Sequence, residues 1–553
     1  MSTIFKEFVK KHPYSTIFNF SFALLTPFND ILLPHLYGLI IDKMYKKKPF
    51  VRLVVLIISL LTIVQLGYLI SDYCDIKLFT KLDSFMRTKL FTLVLEGYET
   101  DYCELQSGKL IANISKVPDA ISGLYEKTKF SILPNLLIFV FAIVYFFLWD
   151  PIYGIILTII IIIVCIIFFR GISTNCKKIT LNFEQSINNI NENFDDSLRN
   201  LTAVFVSNAK DFEIARTVPL ENVFKGLYKK LMICIMQSEI LITPMEILVL
   251  AAFFIRSLQL LKSKNLKTSQ FVAGFIILLY VMGSISVLGY QLKEIIHQLG
   301  VIQQNDLIVE ELQSLALQKR ATNQPILLRN AHAITISFKN VTFGYSKSRP
   351  ILNNLTLDIK HGENVILVGD IGSGKSTFVR LLLEFKKPQS GTIYFNDIPA
   401  QEYSVHDIRD AIGYVPQQPI LFNRSVMENL RYGNNKSEAD ILTILEKYKL
   451  LDEFTGLEDG LNTIAGKNGS VLSGGQRQIV WCVRIILRDP KIIILDEPTA
   501  SLDEKSKNII YRMLTDIMKD RTIIMVTHDE YLMKRADREI NFIQPLPSAI
   551  PRE

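Results

Sequence analysis

The sequence has 553 residues, of which 49% are hydrophobic and 21% are charged, with a formal net charge of +7. An entirely soluble chain of this size would not be so apolar, and the apolar excess lies before residue 300. The positive charge is spread over the chain, so it does not indicate a nucleic-acid partner.

Six long apolar segments predict membrane-spanning helices, and membrane lipids are therefore expected partners. Four of them carry no charged residue, two carry charges, and all approach or exceed the ~20 residues that cross a bilayer. They are Thr16–Ile41, Leu53–Ile70, Phe130–Leu148, Ile152–Phe169, Ile240–Leu261 and Phe271–Leu292. Because the number is even, both termini are expected on one side of the membrane.

The connections between these segments alternate in length. Spans 1–2, 3–4 and 5–6 are joined by short loops, of which Trp149-Asp150-Pro151 is the tightest. Spans 2–3 and 4–5 are separated by long polar stretches with helical patterning and few breakers. These long connections predict helices that extend well out of the membrane.

Two carboxylates fall inside the predicted spans, Asp30 in the first and Glu246 in the fifth. Buried ionisable groups are costly in a bilayer and are functional hypotheses for that reason. They could line a path for a cationic or amphipathic substrate. They could equally pair with Arg256, His35 or backbone groups and fix the packing of the helices.

A phosphate-binding loop is predicted at Gly369–Ser376, which reads G-x-x-x-x-G-K-S. The glycines let backbone N–H groups converge on phosphates at a helix N-terminus. Lys375 would neutralise phosphate charge and the Ser376 hydroxyl would ligate Mg²⁺. A plain turn is the alternative, but a strand-like run precedes the loop and the apolar run Phe378–Leu383 follows it.

A second apolar run, Ile492–Leu495, ends in Asp496 and Glu497. Carboxylates at the phosphate-facing edge of a parallel sheet hold Mg²⁺ and polarise a nucleophilic water. We expect Asp496 to hold the metal through a water molecule. We expect Glu497 to polarise the attacking water as the general base. The run Thr522–Thr527 predicts the next parallel strand, which places His528 at the same edge.

With Leu472-Ser473-Gly474-Gly475-Gln476 (the signature segment), the C-terminal part resembles the nucleotide-binding domain of ATP-binding-cassette (ABC) proteins from roughly Ile334 to Phe542. Tyr345, the phosphate loop, Gln417, the signature segment, the Asp496–Glu497 pair, the D-loop Ala500-Ser501-Leu502-Asp503 and His528 stand in the family's order. Six spans before one such domain resemble a half-transporter of the lipid and multidrug exporter class. The fold class implied is a multi-pass α-helical membrane domain followed by an α/β P-loop ATPase domain.

The resemblance implies that ATP and Mg²⁺ are bound. Catalytic roles fall on Glu497, Lys375, His528 and Gln417, and metal binding falls on Ser376, Gln417 and Asp496. The nucleotide would contact Tyr345, Gly369, Asp370, Ile371, Gly372, Ser373, Gly374, Lys375, Ser376, Thr377, Ser473, Gly474, Gly475, Gln476 and Asp503.

In the family two such domains dimerise head to tail, so that ATP lies between the phosphate loop of one and the signature segment of the other. All motifs are intact in this one copy, which favours a homodimer, and a heterodimer stays open. ATP-driven export or flipping of a lipid-like, amphipathic or peptide substrate is the leading function. The alternative is an ATP-gated channel or regulatory membrane protein without net pumping; a soluble ABC ATPase is excluded by the spans.

The resemblance also implies two short coupling helices, at Glu104–Leu110 and Ser207–Glu213. The sequence differs from the family's usual pattern at three places. Gly466-Lys467-Asn468-Gly469 stands where the family has an acidic residue and an arginine between glycines, and Ile479 stands where a basic residue is usual. The segment after His528 is short. The effect of these departures on coupling to transport stays open.

The predicted domains are a membrane domain at 1–307, a linker at 308–331 and a nucleotide-binding domain at 332–553. Helical character is expected up to about Gln318. Because ATP is cytosolic, the nucleotide-binding domain and both termini are expected in the cytoplasm. The lysines around Lys46, in the loop after the first span, oppose this orientation by the positive-inside rule.

The six cysteines form no C-x-x-C and no metal-ligand spacing, and no targeting segment is recognised. All six are therefore expected to be reduced residues of the core or the bilayer. They are Cys74, Cys103, Cys165, Cys176, Cys234 and Cys482.

Overall fold

The computed structural model describes residues 2–99, 107–170, 176–264, 266–319, 328, 331–346, 350–500 and 502–542. The chain forms two compact units, one of Met1–Glu96 with Glu104–Ser314 and one of Gly97–Cys103 with Leu315–Glu553. The predicted linker 308–331 and its ends stay a prediction, because most of it after Lys319 lies outside the described residues.

The first unit is entirely helical in its described part. Its helices are Ser2–Lys11 (α1), Pro13–Ser21 (α2), Leu25–Pro27 (α3), Leu33–Tyr45 (α4), Val51–Gly97 (α5), Ser107–Lys127 (α6), Leu133–Trp149 (α7), Pro151–Arg170 (α8), Lys177–Arg199 (α9), Leu201–Val206 (α10), Lys210–Lys262 (α11) and Thr268–Lys319 (α12). A 3₁₀ turn at Phe22–Leu24 and π-helical turns at Phe28–Leu32 and Thr128–Ile132 join some of them.

Six helical stretches are long and apolar enough to cross a membrane, and each contains one of the predicted spans. They are Pro13–Tyr45, Val51–Gly97, Ser115–Trp149, Pro151–Arg170, Lys210–Lys262 and Thr268–Leu315. The second, fifth and sixth run far beyond the ~30 Å of a hydrocarbon core. The predicted fold class and the long helical extensions are therefore confirmed.

Lys129 forms a buried polar cluster between the first three spans. Its ammonium donates to Asn19 Oδ1, to Asp75 Oδ2 and, at 2.9 Å, to Ser71 Oγ. The side chain of Lys129 is 2% exposed. All three N–H groups of the ammonium thus have acceptors, which offsets the cost of removing the charge from water.

The two predicted intramembrane carboxylates do not pair with Arg256. That guanidinium instead binds Asp150, with Nε at 2.5 Å from Oδ2 and Nη2 at 3.1 Å from Oδ1. Asp30 accepts from the Asn29 amide at 2.8 Å, and Glu246 accepts from Ser286 Oγ at 2.7 Å. The fork of the arginine matches the Asp150 carboxylate, so the short loop after α7 is anchored to α11.

The expectation of six reduced cysteines is wrong for Cys176 and Cys234, which form a disulfide. Cys176 precedes α9 and Cys234 lies within α11, and their Cα atoms are 5.9 Å apart. The two positions are 58 residues apart in sequence, so local spacing gave no sign of the pair. Cys74, Cys165 and Cys482 are free, and Cys103 lies outside the described residues.

The second predicted coupling helix, at Ser207–Glu213, is not a separate short helix in the structure. Ser207–Ala209 form a turn after α10, with Asn208 at a φ of +55°. Lys210 already begins α11. Of the first predicted coupling helix, residues 104–106 lie outside the described residues and the remainder starts α6.

The second unit contains two sheets and short helices. The four-stranded antiparallel sheet has the order β2-β1-β4-β5 and the five-stranded parallel sheet has the order β6-β7-β8-β3-β9. The strands are Ile336–Phe343 (β1), Leu352–Ile359 (β2), Asn364–Val368 (β3), Ser390–Phe395 (β4), Ile398–Pro399 (β5), Ile412–Val415 (β6), Ile492–Asp496 (β7), Thr522–Val526 (β8) and Arg538–Asn541 (β9). Strands β7 and β8 are buried along their whole length, as expected for a parallel sheet covered on both faces.

Several helices of this unit pack against the parallel sheet in two buried cores. They are Lys375–Leu382 (α13), Val405–Ala411 (α14), Val426–Arg431 (α15), Glu438–Lys447 (α16), Gly474–Arg488 (α17), Glu504–Ile517 (α18) and Glu530–Met533 (α19). Helix α17 buries Ile479, the departure from the family's basic residue, within the core that includes Val480 and Val483. An arginine or lysine side chain at position 479 would have to be buried there.

Glu384 is a buried acid just beyond α13. Its side chain is 7% exposed, and its φ is +54°. Burial raises the pKa of Glu384 to about 7, although the positive charges of Lys387 and Arg409 oppose the shift. The native unit therefore holds a proton that an unfolded glutamic acid would release near pH 4.5.

We expect this proton to make the stability of the second unit depend on pH. The stabilising contribution is complete below pH 4.5 and is lost as pH rises through about 7, because only the native carboxyl group stays protonated in that window. The loss amounts to about 3 kcal/mol at most. Glu384→Gln should remove this dependence, which thermal unfolding of the full chain between pH 5 and pH 8.5 would measure.

Glu402→Gln, at an exposed position, is the matched control and should keep the wild-type slope. A Glu384→Gln variant whose unfolding midpoint follows pH as steeply as wild type would contradict the assignment.

Candidate functional site

The glycine-rich loop between β3 and α13 approaches its neighbours too closely for side chains. Gly369, Gly372 and Gly374 have φ values of +148°, +85° and +104°. A Cβ on Gly369 would lie 2.5 Å from the Phe542 carbonyl oxygen, and one on Gly374 would lie 2.7 Å from Leu352 Cδ2. Glycine is therefore required, and the bare backbone can face a ligand.

Lys375 curls back over this loop. Its Nζ donates to the carbonyl oxygens of Gly369 at 2.6 Å and Asp370 at 3.0 Å. Ser373 and Thr377 are buried, whereas Asp370, Gly372 and Ser376 are exposed and Ile371 is 99% exposed. The buried Ser373 hydroxyl has no hydrogen-bond partner among the described residues.

Asp496, Glu497 and His528 meet at the ends of β7 and β8. Asp496 pairs with Val526 across the strands, and the Glu497 N–H donates to the Val526 carbonyl at 2.7 Å. Glu497 has a φ of +50°, in the left-handed region that is unfavourable for a glutamate. Such backbone conformations cluster at functional sites. Its Oε1 lies 3.9 Å from His528 Nε2.

Burial raises the pKa of Asp496, and the neighbouring charge of Glu497 adds to the shift. The Tyr414 hydroxyl donates to Asp496 Oδ2 at 3.3 Å and, with the charges of Arg380 and Lys375, lowers that pKa in part. A buried carboxylate with incomplete compensation is suited to a cation.

Tyr345 follows β1 and is 54% exposed. Its ring meets the buried Phe343 edge-on, with centroids 5.3 Å apart. Its hydroxyl accepts a hydrogen bond of 2.7 Å from Arg380 Nη1, and the guanidinium carbon lies 6.0 Å from the ring centroid. The exposed aromatic ring is thereby tied to α13, the helix that Lys375 begins.

The signature segment opens α17 with a reciprocal cap. Ser473 Oγ accepts from the Gln476 N–H at 3.1 Å, and Gln476 Oε1 accepts from the Ser473 N–H at 2.8 Å. Gln476 also donates to the Glu453 carbonyl at 2.6 Å. A Cβ on Gly475 would lie 2.3 Å from Ser506 Oγ, so this glycine is needed where α17 meets α18.

The remaining predicted residues lie around the signature segment. Gln417 is exposed and, with Gly474, Lys467 and Arg477, lines a cavity of about 690 Å³. Asp503 caps α18 by accepting from the Ser506 N–H at 3.4 Å, and hydrogen bonds from the Ser506 side chain and then from backbone N–H groups lower the pKa of Asp503. Ser501 of the predicted D-loop lies outside the described residues.

The predicted residues thus fall into two groups. Lys375 lies within electrostatic range of Asp496, and Asp496 is followed by Glu497 beside His528. In the described part of the chain, Ser473, Gly475 and Gln476 contact Glu453 and Ser506 and not the glycine-rich loop. One chain therefore brings together the first half of the predicted site and presents the second half separately.

The first group fits a magnesium–nucleotide complex. The close backbone of the loop, the start of α13, the Lys375 ammonium and the exposed Ser376 hydroxyl suit phosphates. The incompletely compensated Asp496 suits a divalent cation. The assignment of individual residues to nucleotide and metal stays a prediction.

Two neighbours of this site were not predicted. They are Tyr414, three residues before Gln417, and Arg380, a basic residue within the otherwise apolar run Phe378–Leu383. A charged residue inside an otherwise apolar helix next to a phosphate loop was the available signal for Arg380. Nothing in the sequence indicated that Tyr414 would reach Asp496.

Comparisons with known proteins bear on both units. Residues 352–500 match the family model described as ABC transporter. Over 204 residues the chain is 38% identical to "Heavy metal tolerance factor 1" of Caenorhabditis elegans. This alignment covers 37% of this chain but only 26% of that protein. Over 489 residues it is 28% identical to the "ATP-dependent lipid A-core flippase" of Photorhabdus laumondii, covering 87% of this chain and 82% of the relative.

The fold of the whole chain also has a solved counterpart. "Structure of a bacterial Atm1-family ABC exporter with ATP bound" superposes with a TM-score of 0.79 at 20% identity, covering 98% of this chain and 94% of the other. At this identity the likeness establishes the fold. Residues 352–500 thus match the ABC transporter family model, and the six membrane-capable helices precede this domain in the chain.

Proposed function

We propose that this chain hydrolyses ATP and uses the energy to export or flip an amphipathic, lipid-like or peptide substrate across a membrane. The observation that carries the proposal is that Asp496 lies within electrostatic range of Lys375 and is followed by Glu497, beside His528, in a chain with six membrane-capable helices. The name of the flippase that aligns over most of the chain supports a lipid-like substrate.

In the proposed reaction, Lys375 and the loop backbone neutralise the phosphates. Ser376, Asp496 and Gln417 would hold Mg²⁺, which supplies electrostatic stabilisation of the transferring phosphoryl group. Glu497 accepts the proton of the attacking water, and His528, 3.9 Å from Glu497, senses the γ-phosphate. Tyr345 stacks on the adenine base.

The proposed active species is a dimer of half-transporters, and its simplest form is a homodimer of this chain. The separation of the signature segment from the glycine-rich loop within one chain supports this, because a second chain would complete each site. The N-terminal amides of α17 would then face the γ-phosphate. The nucleotide-binding domain and both termini would lie in the cytoplasm.

We expect Glu497→Gln to bind ATP normally and to lose at least about a hundredfold in turnover, because the amide cannot accept a proton. ATP hydrolysis and ATP binding by the full chain in lipid nanodiscs measure the two steps. Glu504→Gln, in the first turn of α18, is the matched control and should turn over like wild type.

Hydrolysis that survives Glu497→Gln would contradict the role of this residue. A wild-type chain that binds ATP without hydrolysing it would instead favour a gate, or a requirement for a different partner half.

The proposed substrate path passes Asp30, which is 8% exposed in the π-helical turn 28–32. A cavity of about 400 Å³ beside this turn is lined by aromatic side chains and by His35, which suits an amphipathic substrate. Its aromatic walls are Phe28, Phe141, Tyr145 and Trp149.

We expect Asp30→Ala to change substrate-stimulated ATP hydrolysis more than basal hydrolysis, because the carboxylate would act on the substrate and not on the nucleotide. The measurement is ATPase activity against a panel of lipids and amphiphiles. Asp30→Asn, which keeps the shape and the Asn29 contact, separates charge from packing. A stimulation curve that Asp30→Ala leaves unchanged would remove Asp30 from the path.

A further inference from the structure

Arg380 connects the base-binding part of the predicted nucleotide site, at Tyr345, with the phosphate-binding part, at the start of α13. It lies on α13, whose first residue is Lys375, and its Nη1 donates to the Tyr345 hydroxyl at 2.7 Å. Because the donor is charged, this hydrogen bond is stronger than one between neutral groups. The base-binding ring and the phosphate-binding helix are therefore joined by one side chain.

Tyr345 needs such a contact to have a defined orientation. Its ring is 54% exposed, and Phe343 supports it only edge-on, at 5.3 Å between centroids. A half-exposed tyrosine held at one edge can change rotamer at little cost. Binding a flat base on a mobile ring would then have to offset the entropy of ordering that ring.

We propose that Arg380 is a positioning residue for the nucleotide base, which it serves by holding Tyr345 through its hydroxyl. The inference rests on the proposed function, because it assumes that Tyr345 stacks on the base. It assigns Arg380 to specificity for a nucleotide over other polyphosphates. The guanidinium orients the ring and leaves phosphate binding to Lys375 and the loop.

A different role for Arg380 has a distinct signature. Its charge also reaches Asp496, so Arg380 could act on phosphates or metal through electrostatics alone. Tyr345→Phe separates the two roles, since it keeps the ring and every charge and removes only the acceptor of the Arg380 hydrogen bond.

The test is calorimetric binding of two probes to the full chain in lipid nanodiscs. The first probe is the non-hydrolysable analogue adenylyl imidodiphosphate, and the second is inorganic tripolyphosphate, which has no base. The variants are Arg380→Gln, Tyr345→Phe and the double substitution. Arg512→Gln, an exposed arginine on α18, is the matched control and should bind both probes like wild type.

We expect each single substitution to raise the Kd for the nucleotide analogue by about three- to tenfold, because either one removes the same charge-assisted hydrogen bond. The double substitution should be no worse than the single ones, since the second change has nothing left to remove. The Kd for tripolyphosphate should stay within about twofold of wild type in Tyr345→Phe and Arg380→Gln.

Tripolyphosphate binding that weakens in Arg380→Gln as much as nucleotide binding would overturn the inference in favour of a charge effect. Full nucleotide affinity in Tyr345→Phe, or additive losses in the double variant, would also overturn it. Those results leave the proposed function standing. If wild type itself does not bind the nucleotide analogue, the proposed function falls and this inference with it.

Discussion

The side-by-side parallel pairing of β7, β8 and β3 is the constraint on which the candidate site depends. Strand β7 ends in Asp496 and is followed by Glu497, β8 is followed closely by His528, and β3 is followed by the glycine-rich loop. Because the carboxyl ends of parallel strands share one edge of a sheet, neighbouring strands deliver these pieces to the same place. Strands β7 and β8 are buried along their whole length, so this edge belongs to the packed centre of the unit.

A different constraint governs the helical unit, where the positive charges of Lys129 and Arg256 need hydrogen-bond acceptors nearby. The two side chains meet this need with different geometry. The ammonium of Lys129 takes three separate acceptors from two other spans, whereas the guanidinium of Arg256 takes both oxygens of Asp150. Each arrangement joins segments that are distant in sequence.

The membrane spans, the α/β class of the second unit and the meeting of the catalytic candidates were predictable because they depend on local runs. Six long apolar segments, one short apolar run that ends in two carboxylates and another that ends before a histidine carry that information directly. Side-chain contacts over long sequence distances were not predictable. The Cys176–Cys234 disulfide, the Arg256–Asp150 pair and the Arg380–Tyr345 bond each join positions between which no pattern repeats.

Gly475 shows a further limit of reading residues by motif. The family resemblance assigns this glycine to the nucleotide, while the structure gives it a packing reason as well, because Ser506 occupies the space of its side chain. Ser506 is in turn the residue that Asp503 caps. The start of α17 and the start of α18 therefore pack directly against each other. A movement of the signature segment would also move the turn that contains Asp503, so both segments would change position together towards a neighbouring chain.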